Sequence, residues 1–177
     1  SEAFTVSIGL SSDDKYFFIT TSDHNTSEQY YFNVDEKEPQ PKLVKERKRG
    51  ILYSVNSWNG KFYNHTNENA EDFKIDVTEN LEKQDWKVFI PAKEEVLIGG
   101  LTFLNNWIIR SETLDALDKL FVKNITTGIE EELLFSNESV YVPGVSLVQR
   151  DKNTDEIYLG YSSPKTQSRI YSYNLSS

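Results

Sequence analysis

The sequence contains no cysteine among its 177 residues, and it contains no methionine either. The lack of cysteine excludes disulfide scaffolds, thiolate-bound metals and thiol catalysis, and it suits a reducing compartment, so we expect a cytoplasmic protein. The lack of methionine even at position 1 predicts that the chain was cut from something longer. Ser1-Glu2-Ala3 begins acidic, unlike a signal peptide. No run of about 18 apolar residues is present, which argues against a membrane-spanning helix.

Positive charge is scarce: the chain has 19 Lys and Arg residues and 28 Asp and Glu residues, which gives a net charge of -9. This acidic excess argues against nucleic acid and anionic membranes as partners. Hydrophobic residues make up 37% and aromatic residues 13% of the chain. That composition supports a folded core rather than disorder, and the length suits one domain spanning residues 1–177.

Four turn sequences recur along the chain, each followed by an apolar segment. Phe17, Phe62, Ile108 and Tyr158 mark these segments, at steps of 45, 46 and 50 residues. Asn59-Gly60 is the clearest hairpin turn among them. A repeat of about 40–50 residues with four strands is typical of β-propeller blades, whereas a β-sandwich or barrel is the alternative. We predict an all-β partial β-propeller of about four antiparallel four-stranded blades, the last one incomplete.

Period-2 alternation of apolar and polar residues, with many β-branched and aromatic residues, predicts strands throughout. The segment 112–120 has helical character but is short and lies where a hairpin turn is expected, so we predict a loop there. The predicted strands are 4–10, 16–21, 29–34 and 42–46 in the first unit, 51–56, 61–66, 72–77 and 86–90 in the second, 96–103, 107–111, 119–123 and 131–135 in the third, and 140–148, 156–161 and 169–174 in the fourth.

Sequences with catalytic chemistry are missing. The strings around Ser146 and Ser162 lack the second glycine of the G-x-S-x-G nucleophile elbow, so ordinary strand and turn serines are the better interpretation. The two histidines, His24 and His65, share no metal-ligand spacing with each other or with carboxylates. No carboxylate cluster matches a calcium loop or identifies a glycosidase pair. We therefore predict no catalytic, cofactor-binding or metal-binding residue, and no cofactor.

The basic run 45–49 and five N-x-S/T matches have simple structural interpretations. The run stands alone in an acidic chain without interleaved aromatic residues, so we predict a solvated loop between blades rather than a nucleic-acid site. An Asn- and Ser-rich chain produces N-x-S/T matches by chance. These matches begin at Asn25, Asn64, Asn124, Asn137 and Asn174.

The order and spacing of many short segments resemble the propeller domain of oligopeptidase B (protease II), in the prolyl oligopeptidase family of serine peptidases. The resemblance covers essentially the whole chain, although each segment is weakly specific alone. The segments are Phe4-Thr5-Val6-Ser7-Ile8, Thr26-Ser27-Glu28, Tyr53-Ser54-Val55, Phe62-Tyr63 with Thr66-Asn67, Asp72-Phe73-Lys74, Trp86 with Ile90-Pro91, Leu101-Thr102-Phe103 with Trp107, Thr127-Gly128, Tyr141-Val142, and Tyr161-Ser162-Ser163 with Thr166.

The resemblance implies a seven-bladed propeller joined to an α/β-hydrolase domain that carries the Ser-Asp-His triad and follows the propeller in sequence. This chain then corresponds to the later blades, about half of the propeller, and the hydrolase domain is absent from it. No triad residue can be transferred to these 177 residues, so the chain alone is expected to be inactive. Its implied partners are the hydrolase domain of the same parent chain and short peptide substrates.

In that family the propeller caps the active site and admits short, flexible peptides, because a folded substrate would first have to unfold at a cost of about 5–15 kcal/mol. The resemblance implies that the first strand of each blade lines a channel, here 5–8, 52–55, 97–102 and 141–148. Acidic residues near it would favour basic peptides, and cleavage after basic residues is expected.

Other outcomes stay open from the sequence. A half ring leaves two blade faces uncovered, which predicts self-association through the terminal blades; a closed four-bladed ring is the alternative. A stand-alone propeller that binds proteins or peptides is the second functional hypothesis. A third is a small β-rich hydrolase that acts on carbohydrate with two carboxylates.

Overall fold

The computed structural model describes residues 4–134, 142–147 and 151–177. These residues form fifteen β-strands and contain no helix. The chain divides into two compact units, Ser1–Glu94 and Glu95–Ser177. None of the described residues belongs to a helix long and apolar enough to cross a membrane.

The first unit consists of two four-stranded antiparallel meanders with the strand orders β1-β2-β3-β4 and β5-β6-β7-β8. Loops of two to eight residues join consecutive strands within each sheet, as expected for sheets built from neighbouring sequence. The strands are β1 Thr5–Leu10, β2 Tyr16–Ser22, β3 Ser27–Asn33, β4 Lys42–Leu43, β5 Tyr53–Trp58, β6 Lys61–Thr66, β7 Lys74–Thr78 and β8 Lys87–Ile90.

The second unit holds one four-stranded meander, β9 to β12, and one three-stranded meander, β13 to β15. The predicted repeat of antiparallel sheets and the incomplete last sheet are both confirmed. The predicted strand 140–148 includes positions outside the described residues, as does the last residue of 131–135. The strands are β9 Leu97–Leu104, β10 Trp107–Leu114, β11 Leu117–Asn124, β12 Glu130–Glu132, β13 Val142–Leu147, β14 Glu156–Ser162 and β15 Arg169–Asn174.

The loop predicted for 112–120 is wrong, because β10 and β11 run through most of it. The two strands form a long hairpin in which Leu114 pairs with Leu117. Only Asp115 and Ala116 form the turn, with φ angles of 52° and 61°. Two consecutive left-handed residues define the tight hairpin turn that usually carries Asn-Gly. Asp-Ala lacks that sequence pattern, which explains why the turn was not recognised.

Within the first unit, the two sheets pack face to face through large side chains. Tyr31 of β3 and Val44, which directly follows β4, meet Tyr53 and Phe62 from the second sheet, and all are at least 90% buried. Each such side chain contributes about 1.5–3 kcal/mol when it leaves water. The cluster consists of Phe18, Tyr31, Val44, Tyr53, Val55, Phe62 and Leu81.

The second unit repeats this arrangement. Ile109 of β10 and Ile157 of β14 are fully buried in one cluster that joins the third sheet to the fourth. Residues of both sheets point inward at every second position, as the pleat requires. The cluster consists of Leu104, Ile109, Leu120, Val122, Ile157, Leu159 and Leu175.

Candidate functional site

The serine strings considered for a nucleophile elbow lie in sheet and turn. Gly144 pairs with Gly160 across β13 and β14. Ser162 ends β14, and the side chain of Ser146 lies outside the described residues. Ser163 instead accepts bonds at its Oγ from the backbone N–H groups of Lys165 and Thr166, at 3.2 and 3.0 Å. These glycines therefore serve sheet pairing rather than a strand–helix elbow.

The two histidines occupy different environments. The His65 ring stacks on the Phe73 ring with centroids 4.5 Å apart and planes 14° apart. Phe73 has a left-handed φ of 68°, which is strained for an aromatic residue. His24 is exposed in the loop between β2 and β3. In the described part of the chain, no group of three His, Asp or Glu side chains could hold a metal ion.

The basic run is attached to acidic side chains rather than simply solvated. Lys45 and Lys48 both bind the Glu68 carboxylate, the second at 2.5 Å. Hydrogen bonds from Lys45, then Lys48, lower the pKa of Glu68 to about 2. Arg47 contacts Glu28 at 3.4 Å and lies over the Phe4 ring at 4.2 Å. Three cations of this run are therefore paired with two carboxylates within the first unit.

The N-x-S/T matches that the structure describes are engaged in local structure. Asn64 is fully buried on β6. The Asn124 side-chain oxygen accepts from the backbone N–H groups of Thr126 and Thr127, both at 3.0 Å. The Asn174 oxygen accepts in the same way from Ser176, at 2.9 Å. In both turns the hydrogen-bonded residue two positions after Asn is a Thr or a Ser, which is the spacing of the N-x-S/T match. Asn137 lies outside the described residues.

The exposed backbone edge of β5 is closed by side chains of β3. Ser27 Oγ accepts from the Tyr53 N–H at 2.7 Å and donates to the Tyr53 carbonyl at 2.8 Å. Gln29 Oε1 accepts from the Val55 N–H at 2.7 Å. Burial raises the pKa of Tyr53 to about 12, and its hydroxyl donates to the Lys45 carbonyl. This edge of β5 therefore cannot accept another strand at these positions.

One face of the first sheet is apolar and open; we call it the open face. It carries Val6, Ile8 and Leu10 on β1, which are 66%, 62% and 49% exposed. The strand register places Phe17 opposite Leu10 and Ile19 opposite Ile8 on the same face. Contiguous exposed apolar groups of this kind mark surfaces that another element covers.

In the second unit, Arg110 is at the centre of a buried ion cluster. Its guanidinium is 2.7 Å from Glu112 and also binds Glu130 at 2.9 Å. It lies over the Phe121 ring, 4.7 Å from the centroid. The Arg110 side chain is only 3% exposed. Such a buried, multiply bonded cation holds its neighbours in one arrangement.

The first unit also contains a cavity of about 350 Å³, which we call the aromatic cavity. Its aromatic lining consists of Tyr16, Tyr31 and Phe62. The Tyr16 centroid lies 5.2 Å from that of Phe62 and 6.2 Å from that of Tyr31, at 63° in both cases. Tyr16 therefore packs edge to face against both of the other rings. The remaining lining residues are Asn33, Glu36, Lys42, Glu79, Asn80, Leu81 and Glu82.

A second cavity, of about 450 Å³, lies in the second unit beside β15. Trp107, Val122 and Leu133 line one side, and Tyr173 and Leu175 line the other. All six residues of β15 are exposed. The three-stranded sheet thus leaves an open strand edge next to an apolar groove.

Comparison with known proteins assigns the family. The model of the prolyl oligopeptidase N-terminal β-propeller domain matches residues 1–177. The chain belongs to this family. The resemblance derived from the sequence and the partial β-propeller fold are therefore confirmed.

Individual relatives agree with the family. The chain is 26% identical to Protease 2 of Moraxella lacunata and 25% identical to dipeptidyl aminopeptidase BI of Pseudoxanthomonas mexicana, with 98% of the chain covered in each case. It spans 25% and 24% of the lengths of these relatives. Oligopeptidase B from Trypanosoma brucei, solved with covalently bound antipain, has the same fold, with a TM-score of 0.89, 23% identity and coverage of 100% of this chain and 26% of that one.

Sequence reasoning missed both cavities. Tyr16, Tyr31 and Phe62 are far apart in sequence and meet only because the two sheets of the first unit pack together. All three lie within predicted strands, so their aromatic character indicated core positions and nothing more. The sequence held one indication of the aromatic cavity: Tyr16 is the first residue of the second strand in its sheet, and Phe62 is the second residue of the equivalent strand in the next sheet.

Proposed function

We propose that this propeller chain acts as a size filter for the catalytic α/β-hydrolase domain of a longer serine peptidase. The observation that carries the proposal is the family match over residues 1–177. The chain spans about a quarter of its curated relatives, which leaves ample length for such a domain. The domain itself, with its triad, is the first partner that we propose.

The physical basis of the filter is steric. A ring of sheets gives access only to segments narrow enough to pass, so a folded substrate must unfold at a cost of about 5–15 kcal/mol. Opening and closing would occur as a hinge motion between domains. The closed edge of β5, capped by Ser27 and Gln29, supports this role because a passing peptide cannot be captured there as an added strand.

We further propose that the longer protein hydrolyses short peptides after basic residues and works in the cytoplasm. The likeness to Protease 2 supports the peptidase class. The net charge of -9 favours basic over acidic peptides near the propeller. The absence of cysteine suits a reducing compartment.

The test uses the full-length protein encoded by the frame that contains residues 1–177. Peptides of about 8, 20 and 40 residues, each with one central arginine, serve as substrates, together with a folded protein that carries an arginine in a surface loop. We expect kcat/KM to fall by at least about tenfold from the shortest to the longest peptide, which corresponds to about 1.4 kcal/mol. Matched peptides with lysine, proline or leucine in place of the arginine measure the specificity.

Trypsin on the same substrates is the control for their intrinsic accessibility. Equal cleavage of the folded protein and the short peptide would contradict the filter. Equal cleavage after leucine would contradict the specificity for basic residues. A frame that closes without a hydrolase domain would overturn the peptidase role and leave a stand-alone propeller that binds proteins or peptides.

A further inference from the structure

We propose that the aromatic cavity of the first unit is a binding site for a guanidinium group, presented by an arginine side chain of an extended peptide. The cavity lies entirely within the first unit, between the outer parts of its two sheets. The inference does not rest on the proposed peptidase role, because binding would occur on this chain whether or not a hydrolase domain follows.

The floor of the cavity is rigid and aromatic. Tyr31 and Phe62 are 8% and 7% exposed and belong to the core cluster of the first unit, whereas Tyr16 is half-buried at the opening. The rings meet edge to face, and all three line the cavity, with Tyr16 the most exposed of them. Aromatic faces within about 6 Å of a cation attract it through the ring quadrupole.

The rim of the cavity is acidic. Glu36, Glu79 and Glu82 line it, and Lys42 is the one ammonium among the described lining residues. Lys42 is already 2.8 Å from Glu82. Hydrogen bonding to Lys42 lowers the pKa of the Glu82 carboxyl. The described lining therefore has three carboxylates and one ammonium, which leaves two negative charges that no cation of this lining balances.

These two carboxylates are held in different ways. The Glu36 carboxylate accepts from the Asn33 backbone N–H at 3.2 Å, which fixes it at the end of β3. Glu79 follows β7 directly, and its oxygen is 4.0 Å from the Lys61 ammonium, a long and exposed contact. Each carboxylate thus retains the capacity to accept further hydrogen bonds from a ligand.

The aromatic floor and the acidic rim together favour a planar cation as the ligand. An anion would be repelled by the rim, and a neutral apolar group would gain nothing from the carboxylates. A guanidinium is planar, stacks on aromatic faces and donates paired hydrogen bonds to carboxylates, whereas an ammonium is a compact and strongly hydrated charge. A volume of about 350 Å³ lies at the lower end of the range for ligand sites, which suits one side chain rather than a whole peptide.

The experiment titrates the isotopically labelled 177-residue chain with N-acetyl-arginine-N-methylamide and follows backbone amide chemical shifts. N-acetyl-citrulline-N-methylamide is the matched uncharged probe, and the lysine analogue tests the ammonium. We expect millimolar binding of the arginine probe, shifts confined to residues 16, 31–36, 62 and 78–82, and at least about tenfold weaker binding of the citrulline probe.

Variants assign the binding to the cavity. The double variant Glu36→Gln/Glu79→Gln should weaken arginine binding by at least about fivefold. The matched control Glu38→Gln/Glu94→Gln changes two exposed carboxylates outside the cavity by the same net charge and should bind like the wild type. Tyr16→Leu should weaken binding about threefold through loss of a ring face. Unchanged amide spectra outside the cavity show that each variant is folded.

Three results would overturn the site. The first is equal binding of the arginine and citrulline probes. The second is an equal loss of binding in the control double variant, which would indicate non-specific attraction to an acidic protein. The third is a set of shifts that maps away from the aromatic rings. If Tyr16→Leu does not fold, the glutamine variants alone decide the question, because both of their positions are exposed.

Discussion

Asp155 Oδ1 accepts a hydrogen bond from Trp107 Nε1 at 3.1 Å, which joins the turn before β14 to the start of β10. The same oxygen accepts from Asn105 Nδ2 at 2.6 Å. The hydrogen bond from Asn105, and then that from Trp107, lowers the pKa of Asp155. One carboxylate therefore ties the two sheets of the second unit together.

We expect Asp155→Ala to lower the free energy of unfolding by about 1–3 kcal/mol, because two donors lose an ionised acceptor. Since the folded pKa is lowered, this stabilisation is present above the unfolded pKa and is lost as the pH falls through the folded value. Urea unfolding followed by circular dichroism at neutral pH and at pH 3 measures both effects. Asp151→Ala, at an exposed position in the same loop, is the control, and an equal loss there would contradict the role of Asp155.

Glu68 gives a second pH-dependent prediction. Its folded pKa of about 2 lies below its ordinary value of 4.5, so the stabilisation is complete above pH 4.5 and disappears as the pH falls toward 2. Glu68→Gln should cost about 1–2 kcal/mol at pH 7, less than the whole pKa shift implies because solvent screens part of the interaction. The gap between variant and wild type should close in acid. Glu46→Gln, exposed in the adjoining loop, is the control.

The turn at Asp115 and Ala116 predicts a stabilising substitution. Ala116 has a φ of 61°, in the left-handed region that an alanine adopts only with strain. Ala116→Gly should raise the free energy of unfolding by about 1 kcal/mol. Ala92→Gly, at an exposed position without a positive φ, should instead lower it slightly. Destabilisation by both variants would show that the hairpin turn has another conformation.

The open face predicts that the isolated chain self-associates. Val6 and Ile8 are both more than 60% exposed on β1, and Ile8 and Leu10 pair with the apolar residues Ile19 and Phe17 of β2. Sedimentation velocity should show a concentration-dependent dimer or larger species, and Ile8→Glu should shift it toward monomer. Val88→Glu is the matched control, since Val88 is also 60% exposed but lies on β8, in the second sheet of the same unit. A wild-type chain that stays monomeric at high concentration would contradict this prediction.

The strands were predictable because each sheet is built from neighbouring sequence with clear alternation. β6 and β15 match their predicted bounds, 61–66 and 169–174. β4 is shorter than the predicted 42–46, because Val44 turns into the core and Lys45 is drawn toward Glu68. Such side-chain contacts between sheets are invisible in local patterns.

The candidate site was less predictable because it too depends on side-chain contacts between sheets. The closed edge of β5 depends on Ser27 and Gln29, two residues that an alternation pattern treats as ordinary polar positions. The aromatic cavity depends on which rings meet after the sheets have packed. Sequence reasoning could identify the family from ordered segments along the whole chain, but it could not derive these surfaces without the strand register.

All strands of one sheet come from a single stretch of about 45 consecutive residues, and each such stretch begins and ends in a loop. A duplication or loss of one stretch in the gene would therefore add or remove a whole sheet without breaking any strand pairing inside the others. The polar bridges between turns, such as Asp155 to Trp107, would then be the contacts that a new neighbour must restore. The number of repeats can in this way change in evolution more readily than the structure of any one repeat.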